Sequence, residues 1–271
     1  MTTPRKPRHR TSPARQDDAS LLRPDVMAAI EEAWPDGEVG MLFDSEESWF
    51  WDLQLKLARA FRRLEGARLL YEHEADETQV WEHSYGDDDL PPDSEPSRSY
   101  HLFFISPADD AFTFESETET EADAEFDEYE GDPDFDGDLE TVTVQGKGHT
   151  GWAVAVSLIA PLAAITLNDY SLFEDGSESA PDIESYAEDD EGNRIDPEEH
   201  FRKCHGERLF QRLEALRNRI AGILEKQGVT VLPETEWRKP VPWLRSDGDA
   251  LVGDSVGQHI RVLDAFFFRS I

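Results

Sequence analysis

The pattern of apolar positions predicts two helices in the first quarter of the chain. Pro24 to Trp34 is predicted to be a short helix, ended by the proline that follows it. Between Asp44, a potential N-cap, and Gly66, apolar residues recur at spacings of three or four. We expect this second segment to be an amphipathic helix with a stripe facing a core. The stripe consists of Phe50, Leu53, Leu57, Phe61 and Leu64.

A longer helix is predicted nearer the C-terminus. Asp196 is a potential N-cap, Pro197 suits the first helical position, and Glu199 completes a capping pattern. Apolar residues then recur at spacings of four and three until Gly228, at Leu209, Leu213, Leu216, Ile220 and Ile223. A helix of about thirty residues should lie across a sheet by this stripe.

Between residues 67 and 175 apolar and polar positions alternate, which is typical of strands. ARLLYEHE and TQVWEHSY are predicted to form a hairpin, and SYHLFFI and AFTFESETET a second pair. Further strands are predicted at ETVTVQ, GWAVAVSL, AAITL and YSLFE, then at VTVL and HIRVLDAFFF. Antiparallel pairing fits because helical crossovers are missing between the runs. The predicted fold is α+β, an antiparallel or mixed sheet covered by two main amphipathic helices.

Acidic residues dominate the composition. The 271 residues include 60 Asp and Glu against 26 Lys and Arg, a formal net charge of -34. Self-repulsion of this size favours an expanded chain, but 7 Trp and 15 Phe supply the large side chains of a folded core. Adaptation to a saline environment, or general solubility, is the explanation that we favour for the charge. The alternative is a surface that attracts basic partners and repels nucleic acid.

Charge also divides the chain into segments. Residues 1–20 are predicted to be a disordered basic arm, and residues 21–271 a single α+β domain. Within that domain, residues 115–138 are predicted to be a solvated or disordered acidic insertion. Cys204 is the single cysteine, no apolar stretch follows the basic arm, and Pro161 interrupts the longest apolar run. We therefore expect a cytoplasmic protein without a membrane span.

The segment GDPDFDGDLE resembles the first half of an EF-hand calcium loop. Asp132, Asp134 and Asp136 alternate ahead of Gly137, as in such loops. The twelfth position, which should hold a bidentate glutamate, is Thr143, and a strand is predicted where the second helix would begin. We expect a charged loop. The alternative is a site for calcium or another divalent cation, with ligands drawn from Asp132, Asp134, Asp136, Asp138 and Glu140.

Gly146, Gly148 and Gly151 match the dinucleotide-binding pattern G-x-G-x-x-G, and Asp169 lies near the distance of a ribose-binding acid. The segment that follows, WAVAVSLIAP, alternates as a strand does, whereas the motif requires a helix. We expect a glycine-rich hairpin turn, with nucleotide binding as the alternative.

A serine-hydrolase pattern is incomplete. GDSVG contains Ser255 in a G-x-S-x-G pattern, but His259 precedes Asp264, which is the wrong order for a nucleophile elbow. A surface turn is the better interpretation.

Histidine and cysteine supply the remaining candidates for chemistry. His200, Cys204 and His205 lie on the predicted long helix, the first two one turn apart, but no Cys-rich segment or second His pair completes a tetrahedral metal site unless an acid contributes. A helix surface with one thiol is therefore expected. Three further histidines lie in neighbouring predicted strands, where they could converge: His73, His83 and His101.

The stretch EWRKPVPWLR combines two tryptophans with basic residues in a proline-stiffened loop. Trp237, Arg238, Trp243 and Arg245 suit a protein interface, and they suit equally a loop clamped onto the sheet. We expect a non-catalytic interaction or regulatory protein, similar to an inhibitor or immunity protein, that binds a basic partner. The alternatives are a calcium-binding protein or metal-dependent enzyme, and third a nucleotide-binding enzyme.

Overall fold

A computed structural model describes residues 22–39, 51–73, 97–122, 140–184, 187–188, 194–246, 260–267 and 269–270. The helices are α1 (Pro24–Ala33), α2 (Trp51–Arg62), α3 (Pro197–His205), α4 (Glu207–Lys226), α5 (Glu234–Trp237) and α6 (Val262–Phe266), with a 3-10 turn at Asp110–Phe112. The longer strands are β2 (Ala67–His73), β4 (Tyr100–Pro107), β5 (Thr113–Ala122), β6 (Glu140–Ser157), β7 (Leu162–Phe173) and β11 (Thr230–Leu232). The protein is α+β, as predicted.

Seven strands form the central sheet, in the order β11-β7-β6-β4-β2. β5 pairs with β6, and β8 (Glu178–Ser179) pairs with β7. All pairs in this sheet are antiparallel except β11 with β7, so the sheet is mixed. Three two-residue ladders lie outside it: β1 (Glu38–Val39) with β12 (Arg245–Ser246), β9 (Ala187–Glu188) with β10 (Arg194–Ile195), and β3 (Ser97–Arg98) with β13 (Arg269–Ser270).

The 18-residue strand β6 pairs along one edge with two strands in succession. Its residues 152–157 pair with β4, and its residues 140–149 pair with β5. Ile105 lies opposite Trp152, and Thr113 lies opposite His149. From Ile105 to Thr113 the chain advances eight residues, while their partners in β6, Trp152 and His149, are three residues apart. The difference is an insertion of five residues between β4 and β5.

Apolar layers cover both faces of the middle of the sheet. We call the face packed by α2, α3 and α4 the α4 face; its buried side chains include Phe103, Trp152, Val154, Leu57, Phe61, Leu213 and Ile220. The opposite face, packed by α1, α5 and α6, is called the α1 face; it includes Leu102, Ala153, Ala155, Val26, Ile30, Trp34 and Phe266. Because both faces are covered, β4 and residues 151–157 are buried throughout. This cover is more extensive than the two main amphipathic helices predicted.

Local sequence signals explain the helix boundaries. The Asp196 carboxylate accepts a hydrogen bond of 2.8 Å from the Glu199 N–H, and Pro197 occupies the first helical turn, as predicted. The predicted thirty-residue helix is divided at Gly206, whose φ of 85° lies in the left-handed region. Glycine adopts this conformation readily, so it ends α3 and α4 begins at the next residue.

Several predicted strands differ from those observed. ETVTVQ and GWAVAVSL belong to one strand, β6, and AAITL and YSLFE belong to β7. SYHLFFI and AFTFESETET do not pair with each other, because both pair with β6. β2 pairs with β4, while TQVWEHSY lies outside the described residues.

The C-terminal HIRVLDAFFF contains a short helix instead of the predicted strand. All five residues of α6 are buried, so no polar face reveals its helical period. The Asp264 carboxylate caps it by accepting the Arg261 backbone N–H at 2.8 Å.

The acidic insertion predicted for 115–138 is wrong for its first part, because residues 115–122 belong to β5. In β5 the glutamates alternate with serine and threonine, so their side chains lie on one side of the strand. The backbone can therefore pair with β6 despite the high charge. Residues 123–139 and the basic arm 1–20 lie outside the described residues. In the described part of the chain, no helix is both long and apolar enough to cross a membrane.

Candidate interaction surface

The predicted tryptophan-arginine stretch lies against the body of the protein. Trp237 is only 2% exposed and belongs to the core of the α1 face, and Trp243 packs partly buried against it. Arg238 is exposed, with its guanidinium 5.2 Å from the Trp237 ring centroid and an ion pair to Glu234 at 2.5 Å. Arg245 is exposed in β12, which pairs with β1. In this arrangement the end of α5 and the residues after it pack onto the core.

A ribbon formed by β5 and residues 140–149 of β6 extends away from the covered part of the sheet; we refer to it below as the ribbon. Its strands pair continuously over ten positions, from Thr113 opposite His149 to Ala122 opposite Glu140. Among the described residues, β5 has β6 as its sole strand partner. Most of the ribbon side chains described are exposed or partly exposed.

A row of glutamates lies along one face of the ribbon. Glu115, Glu117 and Glu119 alternate along β5, so their side chains share the α1 face, and all three are exposed. Adjacent members of the row are about 7 Å apart along the strand. Glu115 lies opposite Lys147, and Glu117 accepts a hydrogen bond of 3.4 Å from Gln145. We call these three residues the glutamate row.

Several carboxylates outside the ribbon, in what we call the body of the protein, form close ion pairs with basic side chains. Glu72 lies 2.5 Å from an Arg62 nitrogen, and the buried Glu236 lies 2.6 Å from the Lys239 amine. Arg261 bridges two carboxylates, at 2.6 Å from both Asp264 and Glu184. Among the described residues, none of the glutamate row forms an ion pair of this kind. Lys147, opposite Glu115, offsets part of this charge, and the row as a whole remains a source of negative field.

The opposite face of the ribbon carries aromatic rings over glycines. A Cβ at Gly148 would collide with the ring of Phe114, which lies opposite it on β5 and is 39% exposed. A Cβ at Gly146 would come 2.5 Å from the ring of Phe173, its partner on β7. The two glycines thus make room for rings that cover their backbone.

The third glycine of the dinucleotide-binding pattern has a similar packing role. A Cβ at Gly151 would lie 2.5 Å from the Ile105 carbonyl oxygen. All three glycines lie inside β6, so the predicted hairpin turn is wrong, and β7 follows where the dinucleotide motif needs a helix. Asp169 accepts a hydrogen bond of 2.6 Å from the Thr150 hydroxyl.

Of the calcium-loop candidates, Glu140 alone belongs to the described residues. Glu140 is the first residue of β6, so a strand begins where the exiting helix of an EF-hand would. Asp132, Asp134, Asp136 and Asp138 lie outside the described residues. Among the residues described, no group of three or more His, Cys, Asp or Glu could hold a metal ion.

The histidine candidates within the described ranges do not converge. His200 and Cys204 face each other on α3, with Nε2 and Sγ 3.5 Å apart, and Cys204 is exposed. In the sheet, His73 stands opposite Leu102 and shares the α1 face, whereas the neighbouring His101 points to the α4 face. His83, Ser255 and His259 lie outside the described residues.

His101 instead contacts a carboxylate at the junction of β2, β4 and α2. Its Nε2 lies 3.7 Å from Glu72, which also pairs with Arg62. The contact with His101 and the charge of Arg62 hold the pKa of Glu72 below its ordinary value despite partial burial. This group is a partly buried polar contact between elements of the fold.

Comparisons with known proteins give no family for the chain. It matches no protein-family model, and neither curated proteins nor solved structures yield a significant match.

The glutamate row was missed as a site in the sequence, although a signal for it exists. In ESETET every glutamate is followed by Ser or Thr, a period of two that favours a strand with one acidic face.

Proposed function

We propose that the protein is a non-catalytic interaction or regulatory protein that binds a basic partner through the ribbon. The observation that carries this proposal is the glutamate row, three exposed carboxylates on one face of one strand without described ion pairs. Carboxylates at this spacing repel one another, and a partner that presents cations at the same spacing relieves the repulsion.

The geometry of the row favours an extended partner. Lysine or arginine side chains at every second position of an extended segment repeat at about 7 Å, which matches the row. Exposed ion pairs contribute about 0.5 kcal/mol each, so three of them correspond to roughly a tenfold difference in affinity. Such binding is specific in charge and weakens as salt screens it.

A peptide titration tests the proposal. The probe is a labelled peptide of about ten residues in which Lys and Thr alternate, and binding is followed by fluorescence anisotropy. We expect binding at about 50 mM salt, strong weakening at about 500 mM, and no binding of the matching Glu-Thr peptide. The triple variant E115Q/E117Q/E119Q should bind about tenfold more weakly.

The control is E31Q/E32Q/E225Q, which removes the same charge from exposed helix positions. If both triple variants lose affinity equally, net charge and not the ribbon is responsible, and the proposal fails. It fails also if the Lys-Thr peptide does not bind the unaltered protein.

A further inference from the structure

A buried histidine lies at the base of the ribbon. His149 stands in β6 between Thr113 of β5 and Tyr170 of β7, and only 9% of it is exposed. Its Nδ1 is buried and has no hydrogen-bond partner among the described atoms. This is unusual, because buried polar atoms are almost always hydrogen-bonded.

The environment of His149 determines which of its nitrogens carries the proton. Burial, and then the positive charges of Lys147 and Arg68, lower the pKa of His149, which favours the neutral ring. A proton on Nδ1 would be a buried donor without an acceptor, which costs free energy. A proton on Nε2 avoids this cost. The ring therefore presents an N–H donor at Nε2.

Two cations lie on the same face of the sheet as this ring, Lys147 in β6 and Arg68 in β2. Lys147 is two residues before His149 in β6, so both side chains share the α1 face, and Lys147 is exposed. Arg68 donates a hydrogen bond of 3.1 Å to the carbonyl of Ala108, which begins the connection between β4 and β5. That bond uses one of the five guanidinium N–H groups. Neither cation forms an ion pair with a described carboxylate.

We propose that Lys147, His149 and Arg68 form a binding site for a small oxyanion of the phosphate or sulfate class. Two permanent cations and a neutral imidazole N–H supply donors alone, which is what an oxyanion with several acceptor oxygens requires. The site is a local group of positive charges in a chain of net charge -34. It is limited by two acids: Glu115, opposite Lys147, and Glu178, which accepts the Tyr170 hydroxyl at 2.8 Å.

Sulfate is the probe, because its charge stays constant through the titration range of histidine. We expect sodium sulfate to shift the imidazole NMR signals of His149 in a saturable manner and to raise the pKa of His149, since a bound anion favours the protonated ring. Sodium chloride at equal ionic strength should do neither. The variant H149Q assigns the signals.

Single variants locate the site. K147Q and R68Q should each weaken sulfate binding by about fivefold, while K203Q, which removes an exposed lysine from α3, should leave binding unchanged. The inference is overturned if chloride reproduces the effect of sulfate, or if K203Q weakens binding as much as K147Q does.

The variant E115Q separates this inference from the proposed function. Removing the carboxylate opposite Lys147 should tighten sulfate binding, whereas the glutamate row predicts that the same change weakens binding of the Lys-Thr peptide. Weaker or unchanged sulfate binding in E115Q contradicts the oxyanion site and leaves the peptide result untouched.

Discussion

The two halves of β6 belong to one strand but lie in opposite surroundings. Residues 151–157 are buried under helices on both faces, whereas residues 141–147 are exposed or partly exposed. The buried half alternates tryptophan and valine with alanine, and the exposed half alternates threonine with valine. Continuous backbone pairing can therefore extend a sheet well beyond its core, where side chains are no longer constrained by packing and remain available for recognition.

The largest contrast between the halves should come from truncating an apolar side chain in each. Trp152 is 0% exposed, and its indole N–H donates to the Leu213 carbonyl at 2.8 Å. Trp152→Ala should lower the free energy of unfolding by about 3–5 kcal/mol, as measured by urea denaturation. Val142, 44% exposed on the same face, is the control, and Val142→Ala should cost less than about 0.5 kcal/mol. Similar losses would show that the ribbon is packed as tightly as the body.

Substitution of a glycine should also destabilise the buried half of β6 more than the ribbon, by a smaller difference. An alanine Cβ at Gly151 would meet backbone atoms of Ile105 and Ser106, which cannot move independently of β4. At Gly148 it would meet the exposed ring of Phe114, which can turn aside. Gly151→Ala should destabilise by about 1–3 kcal/mol and Gly148→Ala by less than about 1 kcal/mol, measured by urea denaturation.

The double variant Gly148→Ala with Phe114→Ala tests the cause. Any cost of the glycine substitution should largely disappear in this background. A cost that persists without the ring would contradict the packing explanation.

A carboxylate in the covered part of the sheet and one on the ribbon should respond differently to pH. The lowered pKa of Glu72 contributes stability that is present above its unfolded value of 4.5 and is lost as pH falls through the folded pKa. Glu72→Gln should cost about 1–2 kcal/mol at neutral pH and progressively less in acid. Urea denaturation from neutral pH to below pH 4.5 measures this, with Glu115→Gln as the exposed control. A constant cost across the range would exclude the ionised carboxylate as the stabilising group.

The smallest effect should come from the glutamate row itself. E115Q/E117Q/E119Q should change the free energy of unfolding by no more than about 0.5 kcal/mol, in the stabilising direction, because mutual repulsion is removed. Thermal unfolding at low and high salt measures it, and the gain should vanish when salt screens the charges. A large loss of stability would mean that these carboxylates hold the ribbon together.

Local signals in the sequence were sufficient for α1, for the cap at Asp196 and for most strand positions. They depend on residues close in the chain, such as Asp196, Pro197 and Glu199. The break at Gly206 was missed because the apolar stripe that follows it predicts one long helix. The helix α6 was missed because all its residues, Asp264 included, are buried, so no exposed polar face marks its helical period.

The candidate site was harder to predict because it depends on pairing between distant segments. Glutamate is a weak strand former, and a run of acids without bases favours disorder by composition. Its place in β5 follows from the pairing with β6, which brings Glu115 opposite Lys147, 32 positions later, in register with Thr113 and His149. The sequence likewise left Trp237 undecided between interface and core, because burial of a tryptophan depends on which elements fold over it.

The five-residue connection at 108–112 has a consequence for how this surface can change. Even-numbered side chains of β4 face the same side as odd-numbered side chains of β5, since an odd insertion reverses the alternation. Had residues 108–112 instead continued the β4 pairing with β6, the glutamates would lie on the α4 face and Phe114 on the α1 face. Which face of the ribbon carries the glutamates thus depends on whether the number of inserted residues is odd or even. If the register of β5 against β6 shifts with the length of this connection, an insertion or deletion of two residues keeps the glutamates on the same face. An insertion or deletion of one residue moves them to the opposite face.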